Sequence, residues 1–260
     1  MEVRLLSEEK NSGKLSFIVK DTNSFFVNTL RRLIVEEVPT LAIEDVEFRD
    51  NSSALYDEVV AHRLGLIPIE TDLKGYTLPA KCTCKGEGCA KCTLKMTLNA
   101  SKVGYVYAEE IKSKDPKCKP VYAKMPITKL IKGQAIEFEA TAVLGKGKEH
   151  IKWSPGLVYY KGVPELKQTN DSNVKAAMTA CNGLIKDSGD KLEIADLNKW
   201  TEACDQMCEE NKINVIYSDT DFIINIESWG QLEPKEMVKE AVEQLKEKTS
   251  EFTDLLKELK

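Results

Sequence analysis

The sequence predicts an α+β fold, and three stretches carry that expectation. Asp21 to Val38, DTNSFFVNTLRRLIVEEV, places Phe26, Leu30, Leu33 and Ile34 at helical spacing, with Phe25 and Val27 widening the apolar stripe. Gln134 to Leu144 alternates instead, apolar at Ile136, Phe138, Ala140 and Ala142, which is the period of a half-buried strand. From Leu232 the i+3 and i+4 spacing returns. Val238, Ala241, Val242, Leu245, Phe252, Leu255, Leu256 and Leu259 form a second stripe, with Glu and Lys on the opposite face. Amphipathic helices towards both ends and strands between them segregate the two kinds of element, as α+β folds do.

The elements follow in order. Val3 to Leu6 and Lys14 to Val19 read as paired strands, with Asn11-Ser12-Gly13 as the turn. In the helix that follows, Thr22, Asn23 and Ser24 are N-cap candidates, and Pro39 stops it. Arg31 and Arg32 lie mid-helix about 100° apart, so they serve different partners. Leu41 to Phe48 is a strand, and Asp57 is expected to cap a short helix that runs through His62 and Arg63 and is ended by Gly65. Tyr76 to Cys92 is irregular. Leu94 to Asn99 and Gly104 to Ala108 are short strands, and Lys112 to Lys119 is a lysine-rich connection. Leu157 to Leu166 is a strand, and the polar stretch 170–211 reads as an inserted subdomain. Ile213 to Tyr217 and Phe222 to Ser228 are expected to form a hairpin across Ser218-Asp219-Thr220-Asp221. The last helix starts near Leu232 with Pro234 in its first turn.

At 260 residues and 42% hydrophobic content the chain can bury one large core or two modest ones. It has no run of 18 apolar residues, so no membrane span is expected. The opening Met-Glu-Val-Arg leads into a strand pattern without the apolar core of a signal peptide, and the expected location is cytoplasmic. Eight cysteines there read as metal ligands or free thiols rather than disulfides. The net charge of −5 argues against a protein whose main task is gripping nucleic acid. The charge is unevenly spread. Lys74 to Lys167 holds 18 lysines against 8 acids, and the remainder is acidic.

Cys82, Cys84, Cys89 and Cys92 stand as C-x-C-x4-C-x2-C, with Gly86 and Gly88 letting the loop curl. Four thiolates can surround one Zn²⁺ at about 2.3 Å in a closed structural site. The alternative for the same loop is a reduced, metal-free cysteine turn. Lys81, Lys85, Lys91 and Lys95 would offset the charge of the thiolates. Cys181, Cys204 and Cys208 are too few for a ferredoxin-type C-x2-C-x2-C-x3-C-P run, and Glu209 stands where proline belongs. They read as remnants of a lost cluster, so no iron–sulfur centre is expected. Cys118 reads as a free thiol. The two histidines, His62 and His150, have no partner suited to acid–base work, and no serine elbow or phosphate loop occurs. An assembly or binding protein is expected before an enzyme, with no catalytic residues.

Three blocks then fit one family. TLRRLIVEEVPTLAIEDVEF with NSSALYDEVVAHRLGLIPI, PVYAKMPITKLIKGQAIEFEATAVLGKGKEHIKWSPG, and DFIINIESWGQL with the last helix resemble the α-like subunits of multisubunit RNA polymerases, most of all the archaeal D subunits. The resemblance covers nearly the whole chain. It implies a discontinuous dimerisation domain from residues 1–40, 156–169 and 212–260, an insert domain at 41–155 with the cysteine loop, and a degenerate ferredoxin-like insert at 170–211. It implies pairing with a smaller subunit, L, and a platform with subunits N and P on which the large catalytic subunits assemble. No sequence-specific DNA binding is implied. Phe26, Leu30, Leu33 and Ile34, with Val242, Leu245 and Phe252, fall where the family's dimer contacts are. Arg31 and Arg32 match its arginine pair, at least one of which is expected to face a large subunit. The cysteine loop lies where eukaryotic relatives carry zinc. Some archaeal members carry iron–sulfur clusters in the 170–211 insert. A redox or iron–sulfur protein is the alternative reading, and a zinc-loop nucleic-acid binder ranks last because stacking aromatics are sparse among the lysines.

Overall fold

A computed structural model describes residues 1–189 and 191–259. It is an α+β protein of antiparallel sheets and, among the described residues, five α-helices. In chain order the elements are β1 (Glu2–Glu9), β2 (Lys14–Lys20), α1 (Ser24–Glu36), β3 (Pro39–Asn51), α2 (Asp57–Gly65), β4 (Thr93–Ala100), β5 (Gly104–Tyr107), β6 (Lys112–Ser113), β7 (Pro126–Leu130) and β8 (Ile136–Lys146). They continue with β9 (Gly156–Gln168), α3 (Val174–Ala180), β10 (Ile185–Asp187), β11 (Leu192–Ile194), α4 (Glu202–Glu210), β12 (Ile213–Ser228) and α5 (Pro234–Glu258). The chain divides into two compact units. One comprises residues 1–31 and 158–227, the other residues 32–157 and 228–260.

The first unit is a six-stranded sheet in the order β1-β2-β12-β9-β11-β10. Its β2 is buried from Leu15 through Val19, so both faces of that strand are covered. The turn before it is a short 3-10 segment closed by Gly13 at φ 63°, a conformation glycine adopts without Cβ strain. The expected hairpin at Ser218–Asp221 is corrected here. Ile213 to Ser228 is one continuous strand of 16 residues. None of residues 218–221 adopts a positive φ, which a tight hairpin requires. Ser218 Oγ instead accepts the amides of Thr220 and Asp221, at 3.2 and 3.1 Å, so the turn-forming residues bond locally and the strand carries on. The subdomain at 170–211 packs Ala177, Cys181, Ile185, Leu192, Trp200, Cys204, Cys208 and Ile213 into a small core of its own.

The second unit holds a four-stranded sheet, β3-β8-β4-β6, and a separate two-stranded ribbon, β5-β7. The alternation in β8 is as expected, with Ile136, Phe138, Ala140, Ala142 and Leu144 inward. The two alanines of this central strand sit opposite larger neighbours. Ala140 faces Val46 and Met96, and Ala142 faces Ile43 and Leu94. Large beside small fills the layer without voids. Strand β7 was not foreseen: Pro126 at its start and the lysine inside it weaken the strand signal. Asp57 is the first residue of α2 rather than its cap, which is Tyr56.

Candidate functional site

The cysteine loop is built by its backbone. Lys85 at φ 53°, Gly86 at 89° and Gly88 at 90° turn the chain back on itself. The amides of Lys85, Glu87 and Cys92 donate to the carbonyls of Cys82, Cys84 and Cys89 at 2.9, 3.1 and 3.0 Å. These turns bring the four sulfurs within 4.8 Å of one another. The separations Cys82–Cys84, Cys82–Cys89, Cys84–Cys92 and Cys89–Cys92 are 3.4, 3.5, 3.5 and 3.8 Å. A tetrahedron of thiolates about 2.3 Å from a zinc ion has edges of about 3.8 Å, so the donor set fits the ion in both chemistry and size. The backbone amide at Cys89 and the Cys82 thiol hold the Cys84 thiol down at about 5, whereas burial and the neighbouring Cys84 push Cys92 up to about 12. A cation would draw the remaining protons off. Four protein donors leave no open position for water or substrate, so such a centre holds a loop rather than catalyses.

Beside this loop lies α5. Lys81 pairs with Glu247. One turn earlier, Gln244 is buried and accepts from Lys146 Nζ at 3.0 Å. The same ammonium donates to Glu37 at 3.0 Å, and Lys248 donates to the other Glu37 oxygen at 2.6 Å. Burial alone would raise the Glu37 carboxyl. The two lysine hydrogen bonds and their charges outweigh it and hold the group below its ordinary range. Nothing in the periodicity of the sequence signals this network, because Glu37, Lys146 and the Gln244–Lys248 turn of α5 are far apart in the chain.

The structure divides the residues of the two stripes. On α1, Ile34 is fully buried and Leu30 and Leu33 nearly so, all within the single chain, while Phe25 and Phe26 are exposed. Asn23 Oδ1 caps this helix by accepting the Phe26 amide at 2.9 Å. Arg31 is half-buried and donates to Asn28. Arg32 is exposed and grips both oxygens of Glu36, at 3.0 and 3.1 Å. On α5 the N-terminal half buries Met237, Ala241 and Gln244, leaves Leu245 half-buried and exposes Val242. Beyond Lys246 all described residues are exposed, and the stripe there shows Phe252 at 63%, Leu255 at 60%, Leu256 at 49% and Leu259 at 82%.

Cys181, Cys204 and Cys208 are buried in the small core beside Trp200, and burial raises the thiols of Cys181 and Cys208, the latter to about 12. Among the described residues, the four loop cysteines are the group of potential ligands that lie close enough to share an ion. Cys118 is buried in the main core, where burial raises its thiol to about 11. His150 Nδ1 accepts the Lys152 amide at 3.1 Å, and His62 sits exposed on α2. No helix among the described residues is long and apolar enough to cross a membrane.

Comparison with known proteins agrees with the blocks that carry the resemblance. Residues 44–156 match the RNA polymerase Rpb3/RpoA insert domain. The chain is 37% identical over 266 residues to DNA-directed RNA polymerase subunit Rpo3 of Methanosarcina acetivorans, covering 100% of this chain and 99% of that one. It is 34% identical to the Rpo3 subunit of Pyrococcus furiosus, covering 100% and 98%, and 33% identical to that of Archaeoglobus fulgidus, covering 99% and 98%. Such relatives lend no support to the redox reading. With matches that run end to end, the chain belongs to the family of archaeal DNA-directed RNA polymerase Rpo3 subunits.

Proposed function

We propose that this chain is a non-catalytic assembly subunit of an archaeal RNA polymerase, pairing with subunit L and, with subunits N and P, forming the platform for the large catalytic subunits. The observation that supports it most is the uncovered ridge Phe252, Leu255, Leu256 and Leu259 on the last turns of α5. A contiguous apolar stripe of this kind is costly in water and marks a surface meant for a partner. In this reading residues 1–40, 156–169 and 212–260 form the discontinuous dimerisation domain, residues 41–155 the insert domain, and 170–211 a ferredoxin-like insert without its cluster. The contact residues are Phe26, Val242, Leu245 and Phe252. Leu30, Leu33 and Ile34 support the helix from within. Arg32, exposed and already oriented by Glu36, is the better placed of the arginine pair for docking a large subunit.

Co-expression with subunit L tests this. A stable 1:1 complex is expected, and Phe252→Asp with Leu256→Asp should abolish it while leaving the fold intact, because both side chains are exposed in the single chain. A well-behaved monomer that ignores subunit L would overturn the proposal. The loop of Cys82, Cys84, Cys89 and Cys92 is proposed to hold one structural Zn²⁺. Elemental analysis of protein purified without chelator should find about one zinc per chain and no iron. Iron in stoichiometric amount would favour the redox alternative instead.

A further inference from the structure

The two-stranded ribbon β5–β7 has one face that no part of its unit uses. Its register pairs Gly104 with Leu130, Tyr105 with Lys129 and Val106 with Thr128. Val106, Thr128 and Leu130 point inward and are buried. Tyr105 points outward with 56% of its surface exposed, and the next residues on that face, Val103 and Ile131, are 61% and 60% exposed. One exposed aliphatic is ordinary, but three neighbours on one strip of sheet are a patch. Tyr107 extends it, with its ring 6.1 Å from that of Tyr105.

The charge around this patch has one sign. Residues 102–107 and 126–132 include Lys102, Lys129 and Lys132 and no carboxylate. Among the described residues none of these three lysines is in an ion pair. Lys129 lies over the Tyr105 ring, its Nζ 5.3 Å from the centroid, so its charge is held in place at the centre of the patch. The nearest acids in the chain, Glu109 and Glu110, follow Tyr107, and the Glu110 carboxylate is occupied by the Tyr107 amide at 2.9 Å.

We propose that this outer face docks an extended acidic segment of another protein, with apolar side chains between its carboxylates. An extended chain repeats every two residues, as the ribbon does, so its apolar side chains can cover Val103, Ile131 and the tyrosines while its carboxylates meet the three lysines. Tyrosine anchors flanked by aliphatic side chains within a charged rim are the usual make-up of a protein-binding surface. A nucleic acid is the poorer match. Val103 and Ile131 offer nothing to phosphates or bases, and Lys129 already covers one face of the Tyr105 ring. The surface lies outside the α1 and α5 contacts proposed above and does not depend on them.

The test is fluorescence anisotropy of the full chain with a labelled peptide of alternating Glu and Leu. A peptide of alternating Lys and Leu and a single-stranded oligouridylate serve as the comparison probes. Binding of the acidic peptide is expected, weakened roughly tenfold by Tyr105→Ala, by Lys129→Glu, and by Val103→Ser with Ile131→Ser, at unchanged melting temperature. The basic peptide should not bind. The proposal is overturned if the wild-type chain does not bind the acidic peptide, or if the variants bind it equally well. It is also overturned if oligouridylate occupies the ribbon more tightly, or if the ribbon variants abolish self-association of the chain, since nucleic acid or a second copy would then be the occupant.

Discussion

A methyl group on Gly147 would lie 2.1 Å from the Val35 carbonyl oxygen, and one on Gly145 would lie 2.3 Å from the Trp153 indole. Backbone cannot yield as a side-chain tip can. Gly147→Ala is therefore expected to cost about 3 kcal/mol, read as a lowered denaturant midpoint with the slope unchanged. Glu37 makes a second prediction at this scale. Its carboxyl titrates below the ordinary range in the folded chain, so its contribution is present above the unfolded value of about 4.3 and is lost as pH falls through the lower, folded value. Glu37→Gln should cost about 2 kcal/mol at pH 7, a figure that discounts the half-exposed Lys248 partner, and should flatten the decline of stability in acid. If the variant and the wild type decline in parallel between pH 5 and 3, the depressed carboxyl is not what that network provides. The cysteine loop was legible residue by residue, because C-x-C-x4-C-x2-C leaves few ways to arrange four sulfurs. The Glu37 network was not, since its members become neighbours only through the tertiary fold.

Among the elements, α1 and β8 could be read from periodicity alone, because each has one apolar face and the period shows which. On α5 the period gave the helix but not its buried face, which is Met237, Ala241 and Gln244 and ends before Lys246. Burial on α1 could not be read. Hydrophobic spacing says which side of a helix is apolar, not whether its own chain or another covers it, and Leu30, Leu33 and Ile34 turn out to be covered from within. Strand β12 was missed as a single element because Ser218-Asp219-Thr220-Asp221 has turn composition, and composition cannot reveal that neighbouring strands hold both halves in one line. A carboxylate helps fasten the subdomain between β9 and β12. Asp205 accepts from Trp200 Nε1 and from the Tyr217 hydroxyl, each at 2.7 Å, while Lys161 donates to the Trp200 carbonyl at 2.9 Å. Asp205→Ala leaves two donors without their acceptor and should cost about 2 kcal/mol. Amide exchange should rise across residues 174–210 and stay unchanged in β2. Uniform exchange throughout the unit would show that Asp205 does not act as the fastening.

For the molecule as a whole, the proposed pairing and the proposed zinc make separable predictions. Stripping metal with a chelator should destabilise the unit of residues 32–157 and 228–260 by about 2 kcal/mol, with zinc restoring it and magnesium not. The same treatment should leave the unit of residues 1–31 and 158–227 untouched, because the four cysteines lie outside it. A different consequence follows from how the chain enters and leaves the subdomain at 170–211. Thr169 and Ser172 both donate to the Lys212 carbonyl, at 2.8 and 2.7 Å, and the strands that flank them, β9 and β12, are neighbours in the sheet. Entrance and exit thus share one doorstep, so the module resembles a cassette that can be ejected, and a short tight loop across the gap would leave the contiguous strands β1-β2-β12-β9 of the six-stranded scaffold intact. A cassette mounted this way can change or be lost without the rest of the subunit registering the difference.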